Sequence, residues 1–259
     1  MGYLLFRLYG PMASWGEIAV GETRHTANYP GRSAIIGLMA AALGIKRSET
    51  ENQQALDQGC LIAVEARSHG SLLRDYHTTQ VPDSVGGFVY RTRRDELIIG
   101  KPRLGTILSS REYRQDALAV SAVRVLPGAR YELQTIKTHL EQPRLHVYLG
   151  RKSCPLSAPM NPQIDKTSRN FHEAFQAYAH QPLLPVHHSG KEGLSKRDAY
   201  WLGLANDRHY YWEGEPSEFS DTIDLSRVQT RIRHDQPLSR TRWQFSPRQE
   251  HYWYFSGGE

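Results

Sequence analysis

Apolar residues fill nearly every position from Tyr3 to Tyr9, which predicts a buried strand that Gly10-Pro11 brings to an end. A loop then runs to Gly31. In SAIIGLMAAALG, from Ser33 to Gly44, the residues Ile35, Leu38, Met39 and Ala42 share one helical face, with Ser33 placed to cap the start and Gly44 to stop the helix. Such a start leaves backbone amides unpaired beside Arg32, a ready place for an anion. Alternation and branching in CLIAVEAR predict a second strand at 60–67. Between Ser68 and Asp116 the chain turns polar and basic, punctuated by Pro82, Gly86-Gly87, Gly100 and Pro102, which predicts a hairpin projecting from the core. Core character returns in ALAVSAVRVL at 117–126, closed by Pro127-Gly128. Residues 131–140 predict a helix and 145–149 a further strand. Beyond Ser157 the text is loop-rich, and the aromatic tail TRWQFSPRQEHYWYF predicts an edge strand packed back on the sheet.

The order strand, helix, strand, strand, helix, strand predicts an α+β, ferredoxin-like sheet. The 259 residues suffice for one large core with appendages. No stretch approaches the roughly 20 apolar residues that span a bilayer, and MGYLLFRLYG has neither the basic segment nor the cleavage pattern of a secretion signal, so no membrane association is expected. Cys60 and Cys154 lie far apart, which permits neither a disulfide framework nor a Cys-rich zinc site and points to a reducing cytoplasm. A net charge of +5 is a modest basic bias, compatible with a nucleic-acid partner.

Where the cations sit is more informative. Residues 147–156, VYLGRKSCPL, resemble the end of a nucleotide-binding P-loop, but Leu145 stands where the first glycine belongs and Arg151 where the lysine belongs. An ATPase is therefore set aside, and Gly150-Arg151-Lys152-Ser153 is kept as a turn suited to phosphate or a nucleic-acid backbone. Cations lie beside aromatics in several places: Trp15 and Tyr29 around Arg24 and Arg32, Tyr90 with Arg91, Arg93 and Arg94, Tyr113 with Arg111 and Arg114, and Tyr148 with Arg151 and Lys152. Arginine reaches phosphates bidentately and aromatic rings stack on bases, as a single-strand RNA binder requires. His187-His188 are adjacent and point different ways, and no HExxH pattern exists, so neither a metal nor another cofactor is expected. A metal-free ribonuclease could be built from His, Lys and Tyr, with Tyr76-His77, His25 and His139 as candidates, but no spacing singles one out.

Five blocks carry a family resemblance: LYGPMASWG at 8–16, RHTANYPGRSAIIGLMAAALGI at 24–45, LRDYHT at 73–78, REYRQDALAV at 111–120 and PRLHVYLGRKSCPLSAPM at 143–160. In that order they resemble the CasD family of subunits of type I-E Cascade, the CRISPR RNA-guided surveillance complex. The resemblance covers roughly the first 160 residues, and no functional residue is carried beyond Met160. It implies a ferredoxin-like, RNA-recognition-motif-like palm, 1–67 and 117–259, with an inserted β-hairpin thumb at 68–116. It also implies a non-catalytic subunit that grips the 5′ handle of the CRISPR RNA, caps the backbone, and contacts the CasC backbone subunit and the large CasA subunit, near target DNA within the complex. A related subfamily cleaves repeat RNA, so a metal-independent endoribonuclease stays open as the alternative. On the matching positions, Gly150, Arg151, Lys152 and Ser153 are expected on handle phosphates, with Gly150 allowing close backbone approach. Arg24, Arg32 and Ser33 are expected to form a second clamp, and Trp15 and Tyr29 to serve as stacking platforms, with a core anchor as the other reading of Trp15. His77, Arg111, Arg144 and Tyr148 complete the expected RNA-binding set.

Overall fold

The computed structural model of the chain describes residues 2–19, 21–83, 89–179, 183, 204, 206–239, 242 and 244–256. In chain order its elements are β1 (Tyr3–Tyr9), the two-residue strands β2 (Met12–Ala13), β3 (Trp15–Gly16), β4 (Thr23–Arg24) and β5 (Thr26–Ala27), α1 (Arg32–Leu43), α2 (Thr50–Gln58), β6 (Cys60–Ser68), β7 (Ser71–Pro82), α3 (Arg93–Ile98), β8 (Leu104–Gln115) and β9 (Leu118–Val125). There follow α4 (Leu133–Glu141), β10 (Gln163–Asp165), α5 (Phe171–Tyr178), β11 (Arg208–Trp212), β12 (Gln229–Ser239) and β13 (Gln244–Phe255).

Seven strands form one sheet in the order β10-β1-β9-β6-β11-β13-β12, with every neighbouring pair antiparallel. Its two faces explain why β1 is apolar without alternation. Leu4, Phe6 and Leu8 pack toward α1 and α4, while Tyr3 and Leu5 pack toward α5, so successive side chains both meet a core. The helix α1 buries Ile35, Ile36, Leu38 and Met39, each worth about 1.5–3 kcal/mol of apolar transfer. It stops at Gly44, whose φ of 80° is left-handed and whose N–H donates to the Ala40 and Ala41 carbonyls. Gly31, not Ser33, is the N-cap, and Arg32 is already helical.

A second, smaller sheet holds the long hairpin. Strands β7 and β8 pair without interruption from Ser71 opposite Gln115 to Pro82 opposite Leu104. The root of β8 also pairs antiparallel with β2 and parallel with β4.

Three expectations change. Residues 145–149 form no strand: Arg144 and Leu145 donate to Ala42 and Ala41 at the end of α1, and Leu149 is held by Ser14 and Cys154, so the segment closes a helix and makes a turn. The tail strand β13 is interior, with β11 on one side and β12 on the other, and β12 takes the edge. Helix α2 was not expected because TENQQALDQ has no apolar stripe; it buries only Leu56 and Asp57. Among the described residues, no helix is long and apolar enough to cross a membrane.

Candidate nucleic-acid interface

The 149–154 turn is built on the backbone at Ser14. Ser14 donates its N–H to the Leu149 carbonyl at 3.0 Å, Leu149 donates to Cys154 at 2.8 Å, and Cys154 donates to Arg151 at 2.9 Å. Gly150 adopts a left-handed φ of 86°, and a Cβ there would stand 1.8 Å from the Ser14 carbonyl oxygen. The close approach that requires glycine is therefore to the protein's own chain, not to a phosphate as the sequence suggested. What the turn presents outward is Lys152 and Ser153, both exposed, while Arg151 is half-buried. The Arg151 guanidinium lies 4.8 Å over the Tyr113 ring and reaches the Arg24 carbonyl at 3.5 Å.

The register of the hairpin sorts the remaining cations by face. Along β7 and β8, Leu73 opposes Tyr113, Asp75 opposes Arg111, and His77 opposes Ser109; these positions share one face, which Arg151 also covers through Tyr113. Parallel pairing places Arg24 beside Arg111. The opposite face carries Arg74 opposite Glu112. There the buried Glu112 carboxylate accepts from Arg74 at 2.9 Å and meets His25 Nδ1 at 3.1 Å. Burial alone would push this carboxyl up, but Arg74, His25 and the Thr26 amide outweigh it and hold it below its ordinary value. One face is thus neutralised from within. On the other, among the described residues, none of Arg24, Arg111, Arg151 and Lys152 makes an ion pair, and Asp75 is held by His77 Nδ1 at 3.0 Å.

Five expected contacts are thereby brought together: Arg24, His77, Arg111, Arg151 and, next to Arg151 in the turn, Lys152. Others are not. Arg32 is buried, its guanidinium bonded to Asp57 at 3.0 Å and ion-paired to Glu213, so it is a core cation and no phosphate clamp. Burial pushes the Glu213 carboxyl up to about 7 although Arg32 and Arg248 both lie against it. The anion expected at the start of α1 is supplied by the protein: Asp235 of β12 accepts the Arg32 N–H at 2.9 Å. Tyr29 is no stacking platform either, since its buried ring stacks on Tyr211 at 3.5 Å and its hydroxyl donates to Glu250. Trp15 is buried in the main core. Arg144 is exposed, and its stem covers Gly44.

Ser33 and Tyr148 are half-exposed and belong to a cleft of about 810 Å³ between α1, the 145–150 segment and β12, where Gly37, Ala41, Gly150 and Arg233 also contribute. His187 and His188 lie outside the described residues. Among the described residues no cluster of His, Cys, Asp or Glu could hold a metal ion. Cys60 is buried, which pushes its thiol up to about 12, so it is no thiolate nucleophile. The carboxylates that decide which arginines are free, Asp57, Glu112, Glu213 and Asp235, were not singled out in the sequence, and no local pattern marks them.

A family model described as "CRISPR-associated protein (Cas_Cas5)" matches residues 3–251. The "CRISPR system Cascade subunit CasD" of Escherichia coli (strain K12) is 36% identical over 166 residues, covering 61% of this chain and 69% of that protein. A solved structure titled "CRISPR RNA-guided surveillance complex" contains a chain similar at 26% identity and a TM-score of 0.58, covering 98% of this chain and 89% of that one. A second, "Crystal structure of Cas protein", has a TM-score of 0.57 over 99% of this chain and 96% of that one; at 22% identity it speaks for the fold alone.

Proposed function

The chain belongs to the CRISPR-associated Cas5 family, and we propose that it is a non-catalytic RNA-binding subunit of a type I-E Cascade, gripping the 5′ handle of the CRISPR RNA and capping the backbone beside the large subunit. The observation that carries this is the unneutralised cationic face made by Arg24, Arg111, Arg151 and Lys152 at the hairpin root. Each such arginine offers planar donors to a phosphate, and each neutralised phosphate releases counterions. In the same reading the first four strands of the order, β10-β1-β9-β6, with α1 and α4 on one face, are a ferredoxin-like palm, and residues 68–116 are its inserted thumb. The partners are the CasC and CasA subunits, with target DNA nearby, and the setting is the cytoplasm.

The test is the salt dependence of RNA binding. Arg151→Ala with Lys152→Ala removes two cations and should flatten the slope of log K against log salt by about 1.4, at roughly 0.7 per single-strand phosphate contact. An unchanged slope would remove the turn from the interface.

One observation keeps a second reading, a metal-independent endoribonuclease. His77, oriented by Asp75, shares its face with Arg111, which supplies a base and a charge stabiliser in one place. Labelled cognate repeat RNA incubated with the protein in EDTA should stay intact and shift on a native gel. Cleavage at one position, abolished by His77→Gln, would favour the enzyme.

A further inference from the structure

We propose that Glu112 is the positioning residue of the cationic face: it sets the spacing of Arg24, Arg111 and Arg151 without touching the ligand. This rests on the reading that the face binds RNA. A carboxylate at the root of a polyanion-binding surface works against the ligand, so its presence there calls for a physical reason. The reason lies in what it joins.

Strand β4 is two residues long and pairs with β8 through Thr23 and Arg24, with one further backbone bond from the Ser110 N–H to the Glu22 carbonyl at 3.0 Å. A ladder that short cannot fix the position of Arg24 by itself. The loop that follows is tied to β8 by the Glu112 side chain, which receives His25 Nδ1 at 3.1 Å and the Thr26 N–H at 3.4 Å. Arg74 closes the same carboxylate from β7, through Nη2 at 2.9 Å and Nε at 3.3 Å. The Glu112 main chain continues the staple, because its carbonyl accepts from Ser14 Oγ at 3.0 Å, and Ser14 is the residue whose N–H holds the Arg151 turn. Thr26 completes the circuit by accepting the Trp15 N–H at 2.8 Å. From one 5%-exposed residue, connections thus run to the strand carrying Arg24 and to the turn carrying Arg151, while Arg111 is its neighbour in sequence.

The side-chain directions complete the argument. Glu112 and its partner Arg74 point to the face opposite Arg111, so the negative charge is spent on Arg74 and His25 and is withheld from the arginines on the other side. The same residue therefore neutralises one face and assembles the other.

Electrostatics and positioning predict opposite signs for Glu112→Gln. Removing a negative charge near a polyanion site should tighten RNA binding if only charge matters. Loss of the staple should instead weaken it about tenfold, comparable to losing one or two phosphate contacts, and should flatten the salt slope although no cation has been removed. Glu112→Asp keeps the charge and shortens the reach; charge alone predicts no change, whereas positioning predicts a smaller loss in the same direction. Both variants would be measured as the purified full chain against labelled single-stranded repeat RNA, with concentrations corrected for active fraction, which a merely unstable variant changes while leaving the slope alone. Should E112Q fail to fold, E112D decides. Wild-type affinity and slope retained in E112D, or tighter binding by E112Q, would overturn the proposal. If instead the wild type binds and Arg151→Ala with Lys152→Ala leaves its slope unchanged, the interface reading has failed and the positioning role falls with it.

Discussion

Gly150→Ala tests the geometry of the turn directly. Gly150 has a φ of 86°, and an added Cβ would lie 1.8 Å from the Ser14 carbonyl oxygen and 2.8 Å from its carbon. Placing an L-residue in the left-handed region costs about 1–2 kcal/mol. The clash adds to this, because backbone and not a flexible side chain stands in the way. Restoring ordinary contact requires the turn to retreat by more than an ångström, which breaks the 3.0 Å bond from Ser14 N–H to the Leu149 carbonyl at a buried residue, for roughly 1–3 kcal/mol more. The total is about 2–5 kcal/mol, or roughly 4–20 °C in Tm for a chain of this size. Gly128→Ala is the internal control: its φ of 77° carries the same conformational penalty, but nothing lies within 4 Å of the added Cβ. It should lose only about 1–2 kcal/mol. Urea unfolding followed by far-ultraviolet circular dichroism measures both. Equal losses in the two variants would refute the claim that Gly150 is required by contact with Ser14, and would return the residue to a role at the ligand.

Arg32→Ala leaves Asp57 buried without Arg32 and Glu213 with Arg248 alone, and should cost about 3–5 kcal/mol in urea unfolding, while the salt slope of RNA binding stays at the wild-type value; a flattened slope would put Arg32 back on the interface. Because Glu112 is held below its ordinary carboxyl value of 4.5, its contribution to stability is present above that pH and fades as pH falls through the lowered value. The Tm gap between wild type and Glu112→Gln should therefore narrow between pH 5 and pH 3, and a gap that widens on acidification would contradict the assigned partners.

Much of the central sheet was legible because its signal is local. Strand β1, helix α1 with its Gly44 stop, and strands β6 and β9 all carry their period or their apolar run within a dozen residues. The failures have non-local causes. Residues 145–149 look like a strand by composition, but their hydrogen bonds go to the end of α1 and to Ser14, partners that no window contains. Strand β13 ends in the aromatic run Tyr252-Trp253-Tyr254-Phe255, which suggests an edge strand covering a core, yet β12 pairs on its outer side through a segment as polar as TRIRHDQ. The part of the chain after Met160, read as a loop-rich extension, supplies Tyr210, Trp212 and Phe219 to the second core and Tyr211 to the ring stacked on Tyr29.

The site divides along the same line. Sequence shows which arginines lie beside aromatic residues, and on that criterion Arg24 and Arg32 are equivalent. They differ only in their acidic partners: Arg32 meets Asp57, 25 residues away, and Glu213, 181 residues away, whereas Arg24 uses its side chain on the Gly21 and Thr23 carbonyls of its own loop. Hydrogen bonds to carbonyls leave the positive charge uncancelled, and an ion pair with two carboxylates does not. An arginine's availability to a phosphate is thus set by where distant acids fold. The consequence is specific to this chain: the carboxylates of Asp57, Glu112, Glu213 and Asp235 define the cationic face by pairing with Arg32, Arg74, Arg248 and the first amide of α1, and the arginines left without a carboxylate partner at the hairpin root, among the described residues, are the ones an RNA can reach.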